Sequence, residues 1–88
     1  MGKSNNMVNE IYVNRLGEIL KELKNHKTFY DEYRRSSPAY GIFKARDDYL
    51  LEILLAMGEK FNTSSPDYAQ AVQLLNEVLS YHDTNIPK

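Results

Sequence analysis

Apolar side chains recur at helical spacing in three stretches of this 88-residue chain, and nowhere do they alternate strictly as in a half-buried strand. In the first stretch, from about Met7 to Lys27, Val8, Ile11, Tyr12, Leu16, Ile19, Leu20 and Leu23 fall on one broad face. Glu10, Asn14, Glu18 and Lys21 lie elsewhere. Gly17 sits on the polar side of this segment, where glycine costs roughly 1 kcal/mol relative to alanine. Phe29, Tyr30 and Tyr33 continue the stripe, so the pattern predicts one long or kinked helix reaching as far as Arg35. The alternative is a break at Asn25-His26-Lys27-Thr28, a run of mediocre helix formers.

Ser36-Ser37-Pro38 ends that helix, because proline disfavours the helical conformation at the residue before it and suits the first position of a new helix. The second helix is predicted from about Pro38 to Phe61. Ile42, Phe43, Tyr49, Leu50, Ile53, Leu54, Met57 and Phe61 form a wide stripe that Leu51 and Leu55 extend sideways. So apolar a circumference predicts the central helix, in contact with both neighbours. Ser65-Pro66-Asp67 supplies a cap, a first-turn proline and a first-turn acid. The third helix then runs to about His82, burying Tyr68, Ala71, Val72, Leu75, Val78 and Leu79. Ser-Ser-Pro-x-Tyr occurs at both 36–40 and 64–68, but the sequences diverge at once beyond the tyrosine. The two copies read as two helix starts using one capping chemistry rather than as a repeat.

Short connections favour antiparallel neighbours. The expected fold is all-α, a small antiparallel three-helix bundle, or four helices if the first segment breaks near residue 26. Residues 7–82 form its single domain. Residues 1–6 are expected to be a disordered N-terminal segment or a cloning remnant, and 83–88 a frayed tail.

Composition narrows the chemistry. The chain has no cysteine, which removes disulfides, thiolate nucleophiles and thiolate metal ligands, and a cytoplasmic location is the natural expectation. No apolar segment of signal-peptide type follows the polar start. The longest apolar run, Ile53 to Met57, is far short of the ~20 residues that cross a bilayer, so no membrane association is expected. The net charge of −1 gives no overall pull toward nucleic acid.

Catalytic patterns are missing. The only imidazoles are His26 and His82, and nothing in the sequence brings either to a particular hydroxyl. Glu18, Glu22 and His26 line up at i, i+4 and i+8, but paired Glu-x-x-His motifs and His-Glu-x-x-His are absent. The three read as a solvated helix face, and His82 as a cation near a helix end. The glycines are isolated, so no phosphate cradle is written in the sequence. The expectation is a protein that is not an enzyme and carries no cofactor or metal.

Charge distribution offers one candidate surface. Residues 24–46 contain six of the eleven Lys and Arg against only Asp31 and Glu32, a local charge of +4. Six of the ten Tyr and Phe lie between 29 and 49. Folded around the Ser-Ser-Pro turn, Tyr33, Arg34, Arg35, Tyr40, Lys44 and Arg46 would form a basic-aromatic end of the bundle. Arg forks bind carboxylates or phosphates bidentately, and exposed Tyr anchors contacts. The competing account is structural: cations solvating a helix end, aromatics closing the core, and Asp47 or Asp48 pairing with Lys44 or Arg46. On the functional account the chain is a small interaction module, an adaptor, inhibitor or regulatory subunit, that docks an acidic or mixed-charge protein partner on this end. A nucleic-acid-associated regulator using the same patch is the less favoured alternative, since the third helix exposes amides but hardly any cation. The width of the second helix's stripe also raises homodimerisation through a spare apolar face.

Overall fold

The computed structural model describes residues 7–88 as three helices. These are α1 (Glu10–Glu32), α2 (Pro38–Gly58) and α3 (Tyr68–Asn85). All pairs of helices touch, and no strand occurs among the described residues. The start of α1 meets the α2–α3 connection, and its end meets the start of α2 and the end of α3. The chain therefore runs up, down and up, and the bundle is elongated, 52 × 19 × 18 Å. Residues 1–6, the expected N-terminal segment, lie outside the described residues.

α1 is continuous through Asn25-His26-Lys27-Thr28, so the fold has three helices and not four. Local propensity is overruled there by tertiary contact: His26 and Tyr30 both point into the bundle and are hydrogen-bonded to α2. The helix stops at Glu32, where Tyr33 turns extended and its N–H closes on the Phe29 carbonyl at 3.0 Å. Pro38 opens α2 with Ser37 extended before it, as its fixed φ favours. α2 ends at Gly58, short of Phe61, yet Phe61 stays buried with its ring 5.6 Å from that of Tyr12. α3 begins at Tyr68 rather than at Pro66, and the Asp67 carboxylate binds Asn9 instead of capping the helix.

The core is built on Leu16, Ile19 and Leu23 of α1, Leu54 of α2, and Ala71 and Val78 of α3, all fully buried. α2 touches both neighbours, as expected, but the most extensive pairing is that of α1 with α3. The inward stripe of α2 is Tyr40, Asp47, Leu50, Leu54 and Met57, with Phe43 and Ile53 packed beside it, so it keeps most of the expected face but takes in Tyr40 and Asp47 and leaves out Ile42 and Tyr49. Ile42 and Tyr49 consequently face out, 70% and 63% exposed. Asp47 sets this rotation, since a carboxylate can occupy the core only where donors meet it. α3 also runs past His82 to Asn85, and Ile86 is buried against the bundle.

Candidate functional site: a polar hub beneath an aromatic corner

Each helix contributes one polar residue in phase with its apolar stripe. His26 falls between Leu23 and Tyr30 on α1, Asp47 between Tyr40 and Leu54 on α2, and His82 four residues after Val78 on α3. The three meet inside the bundle. Asp47 is 0% exposed. Its carboxylate accepts from His26 Nδ1 at 2.9 and 3.1 Å and from the Tyr30 hydroxyl at 2.6 Å. Its backbone carbonyl accepts from His82 Nε2 at 2.8 Å. Phe43 lies edge-on to the His26 ring, with centroids 4.9 Å apart. Burial, followed by the hydrogen bond to Asp47 and that carboxylate's charge, pushes the Tyr30 phenol well above its ordinary pKa.

His26 is therefore not part of a solvated face, and His82, in the last turn of α3 as expected, is buried with its Nε2 on the Asp47 carbonyl. The sequence signal for both was their core phase, which the Glu18-Glu22-His26 spacing obscured. The far nitrogen of His26, Nε2, lies 3.8 Å from Glu22, which in turn holds Arg46 at 2.8 Å. A histidine oriented by a carboxylate is half of a base dyad. Here, however, its free edge faces another carboxylate, and the Tyr30 hydroxyl already donates to Asp47. Chemically the arrangement joins three helices through one residue, α1 to the Asp47 carboxylate and α3 to its backbone carbonyl.

Above the hub lies the corner where α1 ends and α2 begins. The six residues singled out by sequence divide there. Tyr33 is 47% exposed and stacks on Phe29, with ring centroids 4.2 Å apart. Arg34 and Arg35 are exposed beside it and make no ion pair among the described residues. The 34–37 turn closes through the Ser37 N–H and the Arg34 carbonyl at 2.9 Å, which sets both arginines on a short, defined connection. Lys44 instead pairs with Asp48 at 2.7 Å, and Arg46 pairs with Glu22. Lys27 likewise pairs with Asp31 at 3.0 Å. The local surplus of positive charge thus contracts to the two adjacent arginines, with Lys24 standing over the Tyr81 ring.

Tyr40, expected to be exposed, is buried to 8% and stands edge-on to Tyr30, centroids 5.2 Å apart. It is in phase with Asp47 and Leu54 on the inward side of α2, a position that its proximity to the basic turn had masked. Between this corner and the end of α3 runs a groove of about 490 Å³ whose walls include Tyr33, Arg35, Tyr40, Asn85, Ile86 and Lys88. No helix among the described residues is long and apolar enough to cross a membrane.

Comparison with known proteins adds no assignment: no protein family, curated protein or solved structure matches the chain.

Proposed function

We propose that this chain is a small helical interaction module that acts in the cytoplasm by binding a protein partner through its α1–α2 corner, and not as an enzyme. The observation that carries the reading is that Tyr33, Arg34 and Arg35 are exposed together on one short connection while neighbouring cations are already paired. Tyr and Arg are the residue types that most often dominate binding energy, and a rigid connection lowers the ordering cost of using them. The helices behind the corner are locked by the Asp47 hub, so the presenting surface is preorganised. An acidic or mixed-charge partner suits two unpaired guanidinium groups flanked by Asp31 and Glu32. Phosphate backbones are served less well, because non-specific affinity for them scales with the number of available cations.

Affinity capture from the source cell, with Arg34→Ala/Arg35→Ala beside the parent chain, tests the proposal. Loss of a stoichiometric protein partner in the variant supports it. Identical capture by both chains sinks it. Binding of a mixed-sequence DNA duplex that collapses between low and moderate salt would move the reading to nucleic acid. Self-association would use a different surface, Ile42 and Tyr49 of α2. Sedimentation of Ile42→Glu beside the parent chain tests that separately.

A further inference from the structure

The groove at the α1–α2 corner contains a hydroxyl that the fold does not use. Tyr40 is more than nine-tenths buried, yet it lines the groove. Its hydroxyl makes no hydrogen bond to any described residue and is not sealed away as an unsatisfied buried atom. Its neighbour in the core, Tyr30, shows the contrast, with its hydroxyl committed to Asp47. A phenol held this firmly by its ring, with its O–H turned to a groove, is a preorganised donor. Arg35 lines the same groove, is exposed, and carries no ion pair among the described residues. Its guanidinium supplies the fork that matches a carboxylate.

We infer that this groove is a carboxylate-binding subsite in which Tyr40 and Arg35 hold an Asp or Glu side chain of an acidic peptide. The inference rests on the corner being the docking surface and names what that surface recognises. Charge selects a monoanion. Asp31 and Asp83 line the groove as well, Asp31 paired with Lys27 and Asp83 with Lys88. Arg35 is thus left as the one uncompensated cation of the walls, enough for one carboxylate. A phosphoryl dianion would meet two nearby carboxylates with too little positive charge to offset them. Tyr33, stacked on Phe29 at the rim, supplies an aromatic wall for the peptide backbone beside the bound side chain.

The test is an NMR titration of the full chain with the capped peptide acetyl-Gly-Glu-Gly-amide. Acetyl-Gly-Gln-Gly-amide and inorganic phosphate serve as comparisons. The Glu peptide should shift amide signals of residues 31–40 and 83–88 saturably, on the order of millimolar concentration as a single fork contact allows. The Gln peptide and phosphate should bind at least about tenfold more weakly. Tyr40→Phe removes the hydroxyl alone, and Arg35→Gln removes the charge. Each should weaken the Glu peptide about tenfold at an unchanged melting temperature. Equal binding of the Gln peptide, tighter binding of phosphate, or an unaltered Tyr40→Phe titration would overturn the inference. If Tyr40→Phe binds the peptide and the captured partner normally while Arg34→Ala/Arg35→Ala loses that partner, the carboxylate subsite falls and the docking surface stands. If the double arginine variant keeps every partner, both fall.

Discussion

Replacing Asp47 with alanine should be the most damaging single truncation of a polar side chain in this protein. The carboxylate is fully buried and receives the His26 Nδ1–H and the Tyr30 O–H. Alanine leaves both donors unpaired in a site that water does not reach, at about 1–3 kcal/mol each. Breaking a buried ionic or charge-assisted pair by removing one member costs about 3–5 kcal/mol in total. A loss of about 4 kcal/mol is therefore expected. A domain of this size has roughly 4–12 kcal/mol of stability at 0.05–0.15 kcal/mol per residue, so the loss removes a third of it or all of it. Urea unfolding followed by far-ultraviolet circular dichroism reads this directly. With a slope of about 1 kcal/mol per molar, the midpoint should fall by ~4 M, or the variant should be unfolded without denaturant. Asp47→Asn keeps the shape and one acceptor but turns an amide N–H₂ toward a donor, so an intermediate loss is expected. In the Tyr30→Phe background the cost of Asp47→Ala should shrink, because one of the two stranded donors is already gone. A loss below about 1 kcal/mol for Asp47→Ala, or full additivity with Tyr30→Phe, would refute the hub as the element that joins the helices.

The raised pKa of the Tyr30 phenol means that the neutral form is the one the fold holds. Its stabilisation should be complete below the ordinary tyrosine range near pH 10 and should fall as pH rises beyond it, and Tyr30→Phe should flatten that alkaline limb in a pH series of thermal melts. Asn9→Ala should cost about 2–3 kcal/mol, since its side chain donates to the Asn62 carbonyl and Asp67 and accepts from the Asn62 N–H at 2.8 Å. Faster hydrogen exchange at the Asn62 amide is the local readout. Gly17→Ala should raise stability by about 0.5–1 kcal/mol, because a Cβ there meets nothing within 4 Å in mid-helix. Ile42→Gln and Tyr49→Gln should each change stability by less than about 0.5 kcal/mol, whereas Leu50→Ala should cost about 2–5 kcal/mol; the reverse order would mean that α2 is rotated as its bare hydropathy suggests.

Much of the candidate site was visible as residue types and little of it as geometry. Tyr33, Arg34 and Arg35 are exposed where a turn closing at Ser36-Ser37-Pro38 would leave them, since turn residues have no opposing helix to cover them. Lys44 and Arg46 looked equally available, but an acid one helical turn away and an acid on the neighbouring helix neutralise them. The first of those pairs was expected from spacing, and the second depended on how α1 packs against α2. Tyr40 shows the same division within one side chain. Its helical phase marks the ring for the core, while the direction of its hydroxyl follows from the end of α3 lying across the corner.

By itself the sequence determined the all-α class, the approximate bounds of the helical segments and the turn at 36–38, but left open whether the first segment is one helix or two. Periodic apolar burial and proline's fixed φ act over a few residues, and neighbours in sequence suffice to express them. Only the tertiary structure decided that Tyr40 and Asp47 of α2 turn inward while Ile42 and Tyr49 face out, that the helix ends at Gly58, that Asp67 serves α1 rather than its own helix, and that His26, Asp47 and His82 meet. A stripe as wide as that of α2 is compatible with several rotations of nearly equal apolar burial. The buried carboxylate breaks the tie, because it is tolerated where His26 and Tyr30 of α1 donate to it, while His82 of α3 binds the backbone carbonyl of the same residue.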